Sequence, residues 1–246
     1  ANFLHPPCSR QLEAGIGPCS DKECLFPGAC RSARDDHMEF LDLLRKIRSL
    51  PGVKHVFVRS GIRHDYLMAA PEKVRNRFLR EFCTYHVSGQ LKVAPEHTSP
   101  RVLDAMGKPS IAVFDAFSQA FAEAAQMSGK QLYLIPYFMS GHPGAGLDDA
   151  VDLACYLIQR GFIPDQVQDF YPTPGTAASC MYYTGLDPRP GRGGVPIHVP
   201  KGREKRLQRA LLHPHKQENR LLVREALKKA GRMDLADQLL RKPRGR

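Results

Sequence analysis

No run in this sequence approaches the roughly 18–20 consecutive apolar residues that span a bilayer, so a membrane-crossing helix is not expected. No charged segment followed by an apolar stretch opens the chain, so no secretory signal is visible. Neither a Walker A loop nor G-x-G-x-x-G is present, which removes the two commonest nucleotide fingerprints. The paired C-x2-C of zinc ribbons is missing too. Residues 201–246 contain no aromatic side chain, so single-strand base stacking has no platform there. Internal repeats and low-complexity tracts are likewise absent.

What is there reads as a globular protein. The 246 residues are 42% hydrophobic and 25% charged, enough for one large domain or a domain with an appendage. Net charge is +11, but residues 188–246 hold 17 Lys and Arg against 5 Asp and Glu. The first 187 residues hold 19 against 20. The basic character therefore belongs to the tail, where it could serve phosphate contacts or simply solvate packed helices. His213 and His215 form a weak metal cue in a predicted turn.

Four of the seven cysteines, Cys8, Cys19, Cys24 and Cys30, lie in the first 30 residues. With no export signal, such a cluster points to a reducing, cytoplasmic compartment and to metal rather than disulfides. Their spacing is C-x10-C-x4-C-x5-C, and four thiolates in that span can enclose zinc or an iron–sulfur cluster.

The pattern predicts three regions: a Cys-rich leader or insert over 1–34, an α/β core over 35–186 and a basic helical extension over 187–246. A helix is expected from Asp35 or Asp36 to Pro51-Gly52, with Glu39 completing a capping box. Strands are expected at Val53–Arg59, Gln90–Ala94, Leu132–Phe138 and Val167–Tyr171, the first of them buried. Between them fall a helix with Val74, Phe78 and Phe82 at helical spacing, a short helix after Ser99-Pro100 and a longer one capped by Ser110, carrying Phe114, Phe117 and Phe121. A fourth follows Leu147, Val151, Ala154 and Ile158 and closes at Gly161. Alternation of this kind implies a parallel sheet. Four strands suffice for half a barrel or a small open sheet. Residues 172–200 are rich in Pro and Gly and break the pattern, and two or three short basic helices follow.

Ligands of parallel β/α folds bind at the carboxyl ends of the strands. Those ends carry Arg59-Ser60-Gly61, Pro95-Glu96-His97-Thr98, Ser140-Gly141-His142-Pro143-Gly144 and Pro172-Thr173-Pro174-Gly175. Polar loops on one rim are what a pocket for a polar ligand requires, although polar loops occur in every α/β fold. The glycines from Gly141 to Gly146 allow close backbone approach to an anion or ring, or only a tight turn.

Together these segments resemble the radical S-adenosylmethionine superfamily, and the YgiQ family within it. Val58 to Arg63 is similar to that family's third strand and tip, and Leu91 to His97 to the fourth. Met106-Gly107-Lys108 resembles its M-x-K/R element. Tyr133 to Gly144 is similar to the fifth strand and loop, and Gln166 to Pro174 to the sixth. Met181 to Gly185, Val199 to Lys201 and the Cys24 to Cys30 stretch continue the likeness. The superfamily's C-x3-C-x2-C, which binds the catalytic 4Fe–4S cluster, is missing, and so are the first two strands.

The resemblance implies a partial radical S-adenosylmethionine barrel of about four β/α units, the carboxy-terminal portion of a longer enzyme and inactive alone. The intact protein would cleave S-adenosylmethionine to a 5′-deoxyadenosyl radical acting on an unidentified substrate. Electrons would come from a donor such as flavodoxin or ferredoxin. Arg59, Ser60, Glu96 and His97 would contact S-adenosylmethionine, with Glu96 toward the methionine part. Ser140, His142, Gly144, Gln168 and Tyr171 would line the adenosine part. The resemblance assigns no catalytic residue. Two rivals remain open. One is a metal-bearing RNA- or ribosome-binding module using the tail. The other is an acid–base enzyme using Glu96 with His97 or His142.

If the four cysteines hold one metal centre, anaerobically purified protein should contain zinc or iron. The Cys24→Ala, Cys30→Ala double variant should lose it, and unchanged metal content would dismiss the site.

Overall fold

The structure, a computed structural model, describes residue 30 and residues 37–162, 167–189 and 191–241. The helices and strands run α1 (His37–Arg48), α2 (His64–Ala69), α3 (Glu72–Tyr85), β1 (Gln90–Glu96), α4 (Pro100–Ala105), α5 (Ile111–Met127) and β2 (Tyr133–Ser140). They continue with α6 (Leu147–Gln159), β3 (Gln168–Asp169), α7 (Ala177–Thr184), β4 (Leu186–Asp187), β5 (Val195–Pro196), α8 (Gly202–Leu211), α9 (Arg220–Lys229) and α10 (Ala236–Leu240). The class is mixed α/β. One sheet has the order β1-β2-β3, and β2 and β3 are parallel in the register Met139 to Gln168 and Ser140 to Asp169. The helical crossovers α4–α5 and α6 are the connections that a parallel sheet needs. Strands β4 and β5 form a separate antiparallel pair.

Two compact units divide the chain, residues 1–94 with 109–136 and residues 95–108 with 137–246. The first is built on phenylalanine. Phe78 and Phe82 stack at 5.2 Å on the inner face of α3. Phe114, Phe117 and Phe121 recur at helical spacing on α5 and are buried, as the sequence predicts. Ser110 caps that helix by accepting from the Ala112 N–H at 3.3 Å, and Gly129 (φ +68°) turns the chain out of it. The capping residues expected at Asp35 and Asp36 lie outside the described residues.

Residues 53–59 are not the buried strand expected. They are extended, with two bridging backbone bonds, Val58 N–H to His86 and Lys92 N–H to Arg59, each 2.8 Å. Val53, Val56 and Val58 are half-buried, while Lys54, His55, Phe57 and Arg59 are exposed. A β-branched run becomes a strand only where neighbours complete the ladder, and no ladder forms here among the described residues. The fourth expected strand is also shorter, two residues rather than Val167–Tyr171. The other two are longer and end at Glu96 and Ser140. Among the described residues the sheet is therefore three-stranded, not four-stranded.

The second unit closes around α6. Ala150, Val151 and Ala154 pack with Leu207, Leu211, Val223, Leu227 and Leu239 of the basic tail in one apolar cluster. Tail cations such as Arg203, Arg206, Arg224 and Lys228 face outward. The Pro- and Gly-rich stretch, expected to be irregular, contains the helix α7. Thr176 caps it by accepting from Ser179 N–H at 3.2 Å, and Gly185 (φ +70°) ends it. No helix of the described residues is long and apolar enough to cross a membrane.

Because the tail shares a core with α6, Leu227→Ala should cost about 2–5 kcal/mol in denaturant unfolding. Arg224→Ala on the outer face should stay within about 0.5 kcal/mol. Equal effects would mean that the tail is not part of the unit.

Candidate functional site

The rim begins with the strand ends. Ser140 and Asp169 are the last residues of β2 and β3 and are paired in register. The Ser140 hydroxyl donates to Asp169 Oδ1 at 2.5 Å, and Phe170 N–H donates to the Ser140 carbonyl at 2.8 Å. Glu96 ends β1 with φ +70°, a left-handed conformation that costs a non-glycine residue about 1 kcal/mol or more. Its Oε1 lies 3.6 Å from Lys108 Nζ. Its Oε2 is buried without a hydrogen-bond partner, and so is the Thr98 hydroxyl. Burial pushes the Glu96 carboxyl above the usual range, and Lys108 opposes that rise.

Asp149, the third residue of α6, gathers the loop after β1. Its buried carboxylate accepts from Ser99 Oγ at 2.6 Å, Arg101 Nε at 2.8 Å and Gly146 N–H at 2.7 Å. Arg101 Nη2 pairs with it as well. Desolvation is outweighed by these donors, and the Asp149 pKa falls below the ordinary carboxylate value.

Two buried histidines flank this hub in opposite tautomers. His97 Nδ1 accepts from the N–H groups of Thr98 (2.9 Å) and Ser99 (3.0 Å), which puts its proton on Nε2. His142 Nδ1–H donates to the Pro143 carbonyl at 2.7 Å, and its ring meets Phe170 edge-on at 5.0 Å. Burial depresses both to about 4. Both are neutral at pH 7.

Most N–H groups of the glycine loop are already bonded. Gly141 N–H donates to Gln208 Oε1 (3.1 Å), Gly144 N–H to the His198 carbonyl (2.7 Å) and Ala145 N–H to the His142 carbonyl (3.0 Å). With Gly146 bound to Asp149, four of its N–H groups are occupied. The loop is therefore not an open anion nest. Its glycines serve close packing instead: a Cβ on Gly141 would sit 3.0 Å from Lys205 Cγ, and one on Gly144 3.1 Å from the Ala105 Cβ. Helix α8 holds the loop. The Gln208 amide nitrogen donates to the Ala145 carbonyl at 2.9 Å, Lys205 Nζ donates to the Phe170 carbonyl at 2.7 Å, and Arg209 pairs with Asp169.

Of the residues expected at a pocket, Glu96, His97, Ser140, His142 and Gly144 lie in the second unit, at or beside these strand ends. Gln168 and Tyr171 lie there too, but both are exposed, Tyr171 by 82%. Arg59 and Ser60 are exposed residues of the first unit. Cys8, Cys19 and Cys24 lie outside the described residues, and Cys30 is half-buried. Among the described residues no group of three or more His, Cys, Asp or Glu could hold a metal ion, so His213 and His215 gain no further ligand. Sequence reading missed Asp149, Lys205, Gln208 and Arg209. The signal available was spacing: 205, 208 and 209 fall on one helical face.

Residues 165–238 match a family profile described as a domain of unknown function (DUF3362). The chain is 49% identical over 236 residues to a UPF0313 protein of Clostridium perfringens (strain 13 / Type A), covering 96% of this chain and 34% of that protein. It is equally similar to a UPF0313 protein of Clostridium botulinum (strain Okra / Type B1), covering 96% and 36%. The chain thus spans about a third of the length of the curated relatives it matches.

The buried histidines make stability acid-sensitive. With folded values near 4 and an unfolded value near 6.5, the unfolded chain binds more protons between those limits. Their contribution is complete above pH 6.5 and is lost as pH falls toward 4. The upper bound is on the order of 3 kcal/mol per histidine. His97→Asn, which keeps an acceptor for the two N–H groups, should flatten the profile of unfolding free energy against pH in that window. An unchanged slope would show that His97 is not the titrating group.

Proposed function

We propose that this chain forms one side of the S-adenosylmethionine pocket of a radical S-adenosylmethionine iron–sulfur enzyme. In this reading β1, β2 and β3 are neighbouring strands of a partial β/α barrel, and the extended residues 53–59 stand where a further strand would pair. The observation that carries it is the buried, unpartnered Oε2 of Glu96 at the carboxyl end of β1. A buried acceptor without a donor is costly, and a ligand ammonium would supply the donor.

The residues present fit the methionine end of that ligand. Glu96 would accept from its ammonium, with the Thr98 hydroxyl, also unpartnered, two residues further along the chain. When bound, S-adenosylmethionine would supply the hydrogen-abstracting chemistry. Lys108, 3.6 Å from Glu96 Oε1, opposes the rise in the carboxyl pKa that burial causes. His97 and His142, held neutral, add no positive charge that would repel a sulfonium. The described residues do not fit a 4Fe–4S cluster. The leader cysteines are proposed to hold a separate zinc or iron centre, and a flavodoxin- or ferredoxin-type donor to serve as electron partner. The likeness to the UPF0313 relatives is compatible with this reading and names no activity.

In the protein expressed from its complete gene, Glu96→Ala should weaken S-adenosylmethionine binding roughly ten- to hundred-fold by calorimetry. Because burial raises the Glu96 pKa, parental affinity should climb as pH rises through it, and the variant should lose that dependence. A variant indistinguishable from the parent would end the assignment.

A further inference from the structure

We propose that helix α8 is a clamp that sets the conformation of the Ser140–Gly146 loop for ligand, with Gln208 as its positioning residue. The inference rests on the pocket reading above and deepens it.

Gln208 is 1% exposed, and its side-chain amide bridges one loop. It accepts from the Gly141 N–H at 3.1 Å and donates to the Ala145 carbonyl at 2.9 Å. These two bonds fix the distance between the ends of the segment from Gly141 to Ala145, which contains Gly141 and Gly144. Such a segment otherwise has more backbone freedom than any other residue type would give it. Lys205 lays its stem against Gly141 and donates to the Phe170 carbonyl at 2.7 Å. Arg209 holds Asp169, which in turn receives the Ser140 hydroxyl. One helical face thus grips the ends of both β2 and β3.

The arrangement also gives the matched segment a role. Residues 165–238 include β3 and α8, but not the loop that α8 grips. That segment acts as a positioning module for a loop encoded upstream of it, rather than as a binding domain of its own. Leu207 and Leu211 anchor the clamp in the apolar cluster, so the grip has a rigid base.

The test uses the protein expressed from its complete gene. Gln208→Met keeps the length and removes both hydrogen bonds. Val223→Ala, in the same apolar cluster but away from the loop, is the control for a loss of stability alone. Three quantities are measured: the thermal midpoint, amide hydrogen exchange, and S-adenosylmethionine affinity by calorimetry. In Gln208→Met the Gly141 amide should exchange roughly ten-fold faster and affinity should fall roughly ten-fold, the worth of about one net hydrogen bond. Val223→Ala should lower the midpoint and change neither. A Gln208→Met protein that behaves like Val223→Ala overturns the clamp. If its loop loosens but affinity holds, while Glu96→Ala still weakens binding, the clamp is wrong and the pocket stands. If neither Glu96→Ala nor Gln208→Met alters affinity, the pocket falls and the clamp with it. Should Gln208→Met fail to fold, Lys205→Met takes its place, keeping the stem on Gly141 without the bond to Phe170. Unchanged affinity there overturns the proposal.

Discussion

A single buried carboxylate, Asp149, sets the register of the rim. It receives Ser99, Arg101 and the Gly146 N–H. Ser99 and Arg101 follow directly on Glu96, His97 and Thr98, while Gly146 ends the glycine loop. One side chain on α6 therefore fixes the exit of β1 and the exit of β2 against a common point. A charge can be buried only where donors compensate its desolvation, and these donors hold Asp149 ionised. The strained backbone at Glu96 persists because Asp149 and the doubly bonded His97 hold the residues after it. Strain of that kind survives only where the surroundings over-determine it.

Local signals were legible and long-range ones were not. Ser110, the Phe114–Phe117–Phe121 stripe and Gly129 define α5 within one stretch of chain, so periodicity and capping suffice. Leu147 to Gly161 is equally self-contained. Val53–Arg59 has the composition of a strand but not the neighbours, and neighbours decide. The α7 cap at Thr176 was hidden because the surrounding prolines and glycines read as loop. At the candidate site, Glu96, His97, Ser140 and His142 are flagged by their position after predicted strands. Gln208 could not be found that way. A glutamine in a basic amphipathic helix looks like a surface residue until the packing of that helix is known.

Part of the tail's charge is used within the protein. The tail's excess of cations suggests an electrostatic partner, yet several are spent internally. Arg209 pairs with Asp169, Arg203 and Lys229 share Glu225, and Lys205 binds a backbone carbonyl. Such surface pairs add little stability individually. What holds the tail is its apolar face, from Leu207 to Leu239, against Val151 and Ala154. The informative side of these helices is the inner one.

Existing hydrogen bonds limit what the glycine loop can do. Four of its N–H groups have partners, and the Ser140 hydroxyl is given to Asp169. The unpartnered side-chain atoms left at this rim are the Glu96 Oε2 acceptor and the Thr98 hydroxyl. That suits an ammonium or an exocyclic amine, both donor groups. At the four bonded loop amides a carboxylate or phosphate would have to break bonds about as strong as those it could form. Within the proposed pocket, this chain would recognise the cationic and amino-bearing parts of the ligand, and the anionic end of the methionine head would need donors other than these loop amides.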